Sequence, residues 1–270
     1  MGNVSQLALS ALQKDRIRAV GIGRPEDLDL LVNDEDAIVR KCIAYSCGPG
    51  RLKDLDKLVH DIDPDVRAEV ATHGYREHLD ILVKDKNPDV RAEVATHGYR
   101  EHLDILVNDK NKSVRLEVAK RGIPKYLHKL VYDKYQLIRQ IVAEKGTSNC
   151  LDILVHDKDK LVRIEVVWRN RDEDLDILVN DIAVEVREQV AKIGRIQDLD
   201  ILVNDKNKSV RLEVAKHRCP KHLDILVHDE ASEVRIAVAE TGIPKYLDML
   251  ENDSSYRVRK IVELIKCGKR

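Results

Sequence analysis

The 270-residue sequence contains no phenylalanine, and aromatic residues make up only 3% of it. A compact globular core of this length draws much of its buried area from Phe, Tyr and Trp. Here Leu, Ile, Val and Ala must build the interior, which suits thin layers of small helices. An excess of one charge sign is also missing: 47 basic and 48 acidic residues leave a formal net charge of −1. That balance disfavours a dedicated nucleic-acid binder or a membrane-surface protein, leaving room for a local basic patch. No apolar run approaches the ~18 residues of a membrane span. The opening MGNVSQLALS has no basic stretch followed by a long apolar one, so no signal peptide is expected. Gln6 stands where myristoylation wants Ser or Thr. The five cysteines, Cys42, Cys47, Cys150, Cys219 and Cys267, are odd in number and scattered. Only Cys42 and Cys47 are close, and one such pair is no zinc or iron–sulfur framework. They read as reduced structural thiols of a cytoplasmic protein without a cofactor.

What the sequence does have is a period. An Asp recurs at Asp34, Asp61, Asp85, Asp109, Asp133, Asp157, Asp181, Asp205, Asp229 and Asp253, with one gap of 27 residues and then eight of 24. Six residues after each stands an Arg: Arg40, Arg67, Arg91, Arg115, Arg139, Arg163, Arg187, Arg211, Arg235 and Arg259. Ten copies at a fixed short period specify a stacked array.

Each unit can be read physically. Before the Asp lies an apolar turn such as LDILV, with Leu79 and Leu82 at i, i+3 spacing ahead of Asp85, enough for one or two helical turns. After the Asp, Asp63-Pro64 and Asn87-Pro88 place an Asx N-cap before Pro at the first helical position. A second helix then runs through VRAEVATH with Val66, Val70 and Ala71 on one face. Gly74, Gly98, Gly122, Gly146, Gly194 and Gly242 are expected to end it as glycines with positive φ. Two short helices and two turns use up 24 residues, so the fold expected is all-α, with no sheet. Residues 1–27 are expected to form an N-terminal cap and partial repeat, residues 28–263 the tandem repeats and residues 264–270 a basic tail.

The pattern resembles the leucine-rich repeat variant family, and its D-x-x-x-V-R-x-x-V-A core is also similar to HEAT-type repeats. The resemblance covers Leu28 to Glu263. It implies a right-handed α-solenoid of about ten units, each pairing a short 3₁₀-like helix with an α-helix, and an Asp–Arg ladder between neighbouring units. The family's iron–sulfur member carries an N-terminal cysteine cluster that this chain lacks, so that cofactor is not carried over.

Ten equivalent Asp–Arg pairs argue for structure, since chemistry needs one privileged site; a bidentate pair at each joint would fix the stacking register. Glu69 with His73, Glu93 with His97, Glu117 with Arg121, Glu165 with Arg169 and Glu213 with His217 stand at i, i+4, the favourable orientation on a helix surface. The same side chains could line a concave binding face. His73, His78, His97 and His102 recur too regularly to converge on a metal, because helices of neighbouring units lie about 8–10 Å apart; no metal is expected.

Departures from the consensus single out two repeats. Trp168, the only Trp, falls where other units have polar residues such as Lys120, Glu144 and Lys192, so it should face solvent beside Arg169. Tyr132 and Tyr135 flank Asp133 in the preceding unit. Trp, Tyr and Arg are the residues enriched at interface hot spots. The candidate binding set is therefore Trp168, Arg169, Glu165, Lys145, Glu144, Lys120, Arg121, Lys192, Tyr132 and Tyr135. Near-perfect copies, such as LDILVNDKNKSVRLEVAK at Leu103–Lys120 and again at Leu199–Lys216, suit an array more than an enzyme with a unique pocket.

The reading these features favour is a monomeric, non-catalytic scaffold that takes a protein or extended peptide on its concave face. A second reading is a nucleic-acid binder, in its enzymatic form a HEAT-like DNA glycosylase, using Lys120, Arg121, Lys145, Arg169, Lys192 and Lys216 with Trp168 stacking on a base. Against it stand the neutral charge balance and the interleaved Glu residues. A third, a lyase or chaperone accessory for chromophore-bearing partners, rests on fold analogy alone.

Overall fold

The computed structural model describes residues 4–268. Among them are twenty-one α-helices, one 3₁₀ turn and no strand. Within the repeat region a seven-residue helix alternates with one of nine to eleven residues, as in Arg76–Leu82 followed by Pro88–His97. The chain divides into two compact units, residues 1–145 and 146–270. Of the outermost residues, Met1–Asn3 and the end of the expected basic tail, Lys269 and Arg270, lie outside the described set.

Local sequence sets both helices. The Asp63 and Asn87 side chains accept from the N–H groups of Asp65 and Asp89 at 2.8 and 2.7 Å, capping helices that begin with Pro64 and Pro88. Val90, Val94 and Ala95 are buried on the long helix, and Leu103 and Leu106 on the short helix that follows. The 3₁₀ character of the short helices is confined to their ends. The His78 N–H donates to the Tyr75 C=O, and the Asp85 N–H to the Leu82 C=O. Between them, the Val83 N–H donates to the Leu79 C=O in the α pattern.

The left-handed residue expected at the end of the long helix is found at Gly74, Gly122, Gly194 and Gly242, with φ from 67° to 85°. Asn170 and Arg218 adopt it at the same register with φ of 55° and 58°. Asn does so readily; Arg does so against its Cβ. Gly98 departs from the expectation. Its φ is −73°, and its N–H closes the helix on the Val94 C=O.

Inside each unit, consecutive long helices come within backbone contact of one another, whereas consecutive short helices meet mainly through side chains. The 27-residue gap between Asp34 and Asp61 is taken up before Leu52–Leu58 by the 3₁₀ turn Pro49–Arg51. The helix Gln13–Ile22 stacks on Ala37–Ser46 as a long helix would, although its sequence lacks the repeat Asp.

Candidate functional site

The Asp–Arg ladder is present at every joint within either unit, and its geometry is more specific than a six-residue pair. Arg91 shows the pattern. Its Nη1 donates to the main-chain carbonyl of Asp85, six residues back, at 2.7 Å. Its Nε and Nη2 fork onto the carboxylate of Asp109, eighteen residues ahead, at 2.6 and 2.9 Å. The same Asp109 oxygen accepts the Asn111 N–H at 2.8 Å, which shapes the turn into the next helix. Each Arg therefore bonds to the turn of its own repeat and the carboxylate of the next. Arg67–Asp85, Arg115–Asp133, Arg163–Asp181, Arg187–Asp205, Arg211–Asp229 and Arg235–Asp253 repeat this fork. Arg40–Asp61 spans the longer gap in the same way. Arg16 supplies a rung not foreseen from the period: it reaches Asp34 and holds the carbonyl of Ser10, where the Asp would stand. Burial pushes the Asp85, Asp109 and Asp133 carboxyls up, but the guanidinium bond, the main-chain N–H bond and the nearby positive charge together hold all three below the ordinary 3.8.

The short-helix side of the repeats carries a second polar joint, built from unlike residues. Seven residues before each ladder Asp from Asp85 onwards the side chain is buried, whether it is His78, His102, Tyr126, Cys150, Asp174, Asp198, His222 or Tyr246. Where it is His, its Nε2 meets an Asp of the preceding short helix: His78–Asp56 at 2.8 Å, His102–Asp80 at 2.8 Å and His222–Asp200 at 2.7 Å. Where it is Asp, an Arg three residues earlier bridges it to that same acidic position: Arg171 links Asp174 to Asp152, and Arg195 links Asp198 to Asp176. Where it is Tyr, the preceding Lys makes the ion pair, Lys125–Asp104 and Lys245–Asp224, while the buried phenols of Tyr126 and Tyr246 bond to the carbonyls of Arg100 and Pro220. His78, His102 and His222 thus hold one short helix to the next. Among the described residues no group of three or more His, Cys, Asp or Glu is placed to hold a metal ion.

The candidate binding residues fall on two edges of their repeats. Lys120, Arg121, Glu144, Lys145, Trp168, Arg169 and Lys192 lie at the C-terminal ends of long helices. Tyr132 and Tyr135 lie at the opposite edge, beside the start of Gln136–Lys145. Trp168 is 57% exposed, and Tyr132 75%. Glu165 is half-buried one turn back from Trp168. Arg121 is held by the preceding repeat: its Nη1 donates to the carbonyls of Ala95, Thr96 and Gly98 at 2.8 to 3.1 Å, capping the helix Pro88–His97. Arg169 donates to the carbonyl of Gly146 at 3.1 Å. His73 and His217 reach back in the same way to Ala44 and Ala191, each at 2.7 Å.

This corrects the i, i+4 reading of the helix surface. Glu93–His97 does form, at 3.5 Å, but Glu117 and Glu213 pair with the Lys three residues on, Lys120 and Lys216, at 2.7 Å. The residue four on from Glu117 and Glu213 is spent on capping its neighbour. Lys145 lies 3.5 Å from Glu144. The basic strip considered for nucleic acid is therefore largely neutralised or bonded to carbonyls.

No family model matches the chain, and no curated protein matches it in sequence. Among solved structures it is similar to one described as a leucine-rich repeat variant with a novel repetitive structural motif, at 27% identity and a TM-score of 0.66. That match covers 88% of this chain and 97% of the other. The chain resembles the leucine-rich repeat variant. Matches to E. coli YibA and to human deoxyhypusine hydroxylase in complex with glycerol each have 16% identity and cover 98% of this chain. They cover 98% and 93% of the other chains, with TM-scores of 0.31 and 0.29, too low to add to the leucine-rich repeat variant assignment. Among the described residues no helix is long and apolar enough to cross a membrane.

Proposed function

We propose that this variant-like repeat protein is a non-catalytic scaffold that binds a protein or an extended peptide, with Trp168 as the anchor in its second unit. The observation that carries the reading is the contrast between Trp168 and the charged groups of the repeats. The ladder guanidiniums, the short-helix ion pairs and the capping Arg and His side chains are engaged in holding one repeat to the next. Trp168 is large, apolar and open to solvent at a position where most equivalent units are polar, Tyr45 and Leu264 excepted. Solenoids bind partners along extended faces rather than in single pockets. The cytoplasm suits this reading, because the five cysteines are free thiols and burial raises those of Cys42 and Cys47, the latter to about 11. A monomer is the form proposed.

The test is capture of partners from the host's lysate by the wild-type chain and by Trp168→Ala, with circular dichroism confirming that both are folded. Arg169 is left intact because it holds the Gly146 carbonyl. A partner retained by wild type and lost by the variant is the expected result. Retention of the same partner by both would remove Trp168 from the site.

A further inference from the structure

The first unit carries a line of cations that the repeat architecture does not use. Lys84, Lys86, Lys110 and Lys134 stand on the loops around Asp85, Asp109 and Asp133, Lys112 opens the helix Lys112–Lys120, and all five are exposed. None of the five makes an ion pair with a carboxylate among the described residues. Equivalents of Lys112 in the second unit behave differently. Lys160 is paired with Glu185 at 2.5 Å and Lys208 with Glu233 at 2.7 Å, each across to the next repeat. Lys112 instead lies 4.8 Å over the ring of Tyr135, which Lys134 and Arg115 also approach. Each ladder Asp beneath is already forked by an Arg, and the charge of Lys86 on Asp85 and of Lys134 on Asp133 acts at longer range than an ion pair.

Apolar surface runs beside these charges. Between the repeats of Asp61 and Asp85 an open groove is lined by Ile62, Ile81 and Lys86, with Arg67 and Asp85 in its lining as well. Ile105 repeats Ile81 one unit on and is exposed too. A surface that offers one cation per repeat, with an aliphatic contact beside it in the repeats of Asp85 and Asp109, suits an acidic chain that also carries apolar side chains. A nucleic-acid backbone would pair with the same lysines but would leave the aliphatic wall of Ile62, Ile81 and Ile105 uncovered.

We propose that this loop edge of the first unit docks an acidic, extended peptide segment, one carboxylate per repeat against Lys86, Lys110 and Lys134. The proposal rests on the scaffold reading but not on Trp168. The spacing supports it: stacked helices lie about 8–10 Å apart, and a polyproline II chain returns to the same face every three residues, about 9.3 Å. A carboxylate at every third position therefore stays in step with the repeats, whereas a β-strand, returning about every 6.8 Å, drifts out of step.

The probe is a fluorescein-labelled peptide of four Glu-Pro-Val triplets, followed by fluorescence anisotropy. The wild-type chain should bind it, with affinity falling steeply towards about 0.5 M salt. The triple variant Lys86→Glu, Lys110→Glu, Lys134→Glu should lose at least about tenfold in affinity. Lys160→Ala, Lys208→Ala and, separately, Trp168→Ala should bind as wild type does. Thermal melts confirm that each variant is folded. Equal binding by the triple variant overturns the proposal. So does equal binding of a same-composition peptide with its Glu residues clustered, or tighter binding of an oligothymidine. Charge-dependent self-association in light scattering, abolished by the triple variant, would overturn it in favour of a second copy of this chain. If the peptide fails here while Trp168→Ala still loses a partner from lysate, the scaffold reading stands without this strip.

Discussion

The two sides of a repeat solve the same problem differently. On the loop side every joint within either unit uses one solution, an Arg forked onto the Asp of the next repeat. On the short-helix side three solutions serve: a buried His, a buried Asp bridged by Arg, and a buried Tyr beside a Lys. The difference lies in how many bonds one side chain must make at once. The ladder Arg must reach a carbonyl in its own repeat and both oxygens of a carboxylate in the next, and only a guanidinium has donors in that arrangement. The short-helix joint asks for one donor near a carboxylate that is mostly exposed, 59% in Asp80, so any N–H donor with reach will serve.

Removing a ladder arginine should therefore produce the largest effect. Arg91 and Asp109 are each only 8% exposed. Arg91→Ala leaves the Asp109 carboxylate and the Asp85 carbonyl buried without their donor, and breaking a buried pair from one side costs about 3–5 kcal/mol. Since an array transmits stability through nearest neighbours, hydrogen exchange should show lost protection concentrated in the repeats of Asp85 and Asp109. Uniform loss across the chain, or a cost below about 1 kcal/mol, would mean the ladder is decoration on an apolar stack.

Acid should act on the same side of the repeats. The folded-state carboxyls of Asp61, Asp85, Asp109, Asp133, Asp205 and Asp253 lie below the ordinary 3.8. Their contribution is thus fully present above 3.8 and is lost as the pH falls through their lowered folded values. Because every such joint loses its anion over the same window, unfolding followed by circular dichroism should be steep and should begin below about pH 4. In Arg91→Ala the onset should move to higher pH, since Asp109 no longer has the guanidinium that lowers its carboxyl.

The same contrast explains what could be read before the structure. The loop side repeats one letter at one spacing, so the Asp and Arg positions, the Asx caps and the apolar faces were all legible. The fork itself was legible only in part, since the carboxylate partner lies eighteen residues ahead rather than six back. The short-helix joint repeats a function through different letters. No single residue type holds the position of His102, Tyr126, Asp174 and Asp198 throughout the array, and periodicity cannot find an equivalence that exists only in space. Arg121 was misplaced for a related reason. Its sequence neighbour Glu117 offers a local partner, but its long side chain reaches three carbonyls of the previous repeat. In sequence the repeats of Asp133 and Asp157 depart from the short-helix registers, with His128 where Asp is usual and Cys150 where His, Tyr or Asp is usual. The chain also divides into its two units near there, between Lys145 and Gly146.

If the short-helix joints are interchangeable, one can be transplanted into another. His102 is 2% exposed, its Nε2 on Asp80 and its Nδ1 accepting the Tyr99 N–H at 3.0 Å. His102→Ala removes both bonds and opens a cavity, so a loss of about 1–3 kcal/mol is expected. The double substitution Glu101→Lys, His102→Tyr rebuilds the Lys125–Tyr126 arrangement at this joint, with the introduced lysine placed to meet Asp80 as Lys125 meets Asp104. It gives up the exposed Arg76–Glu101 contact at 3.6 Å, which is worth little. Chemical denaturation should place the double variant within about 1 kcal/mol of wild type. A loss as large as that of His102→Ala would show that each joint is fitted to its own repeat, and that the variety on this side reflects separate adjustment rather than a loose requirement.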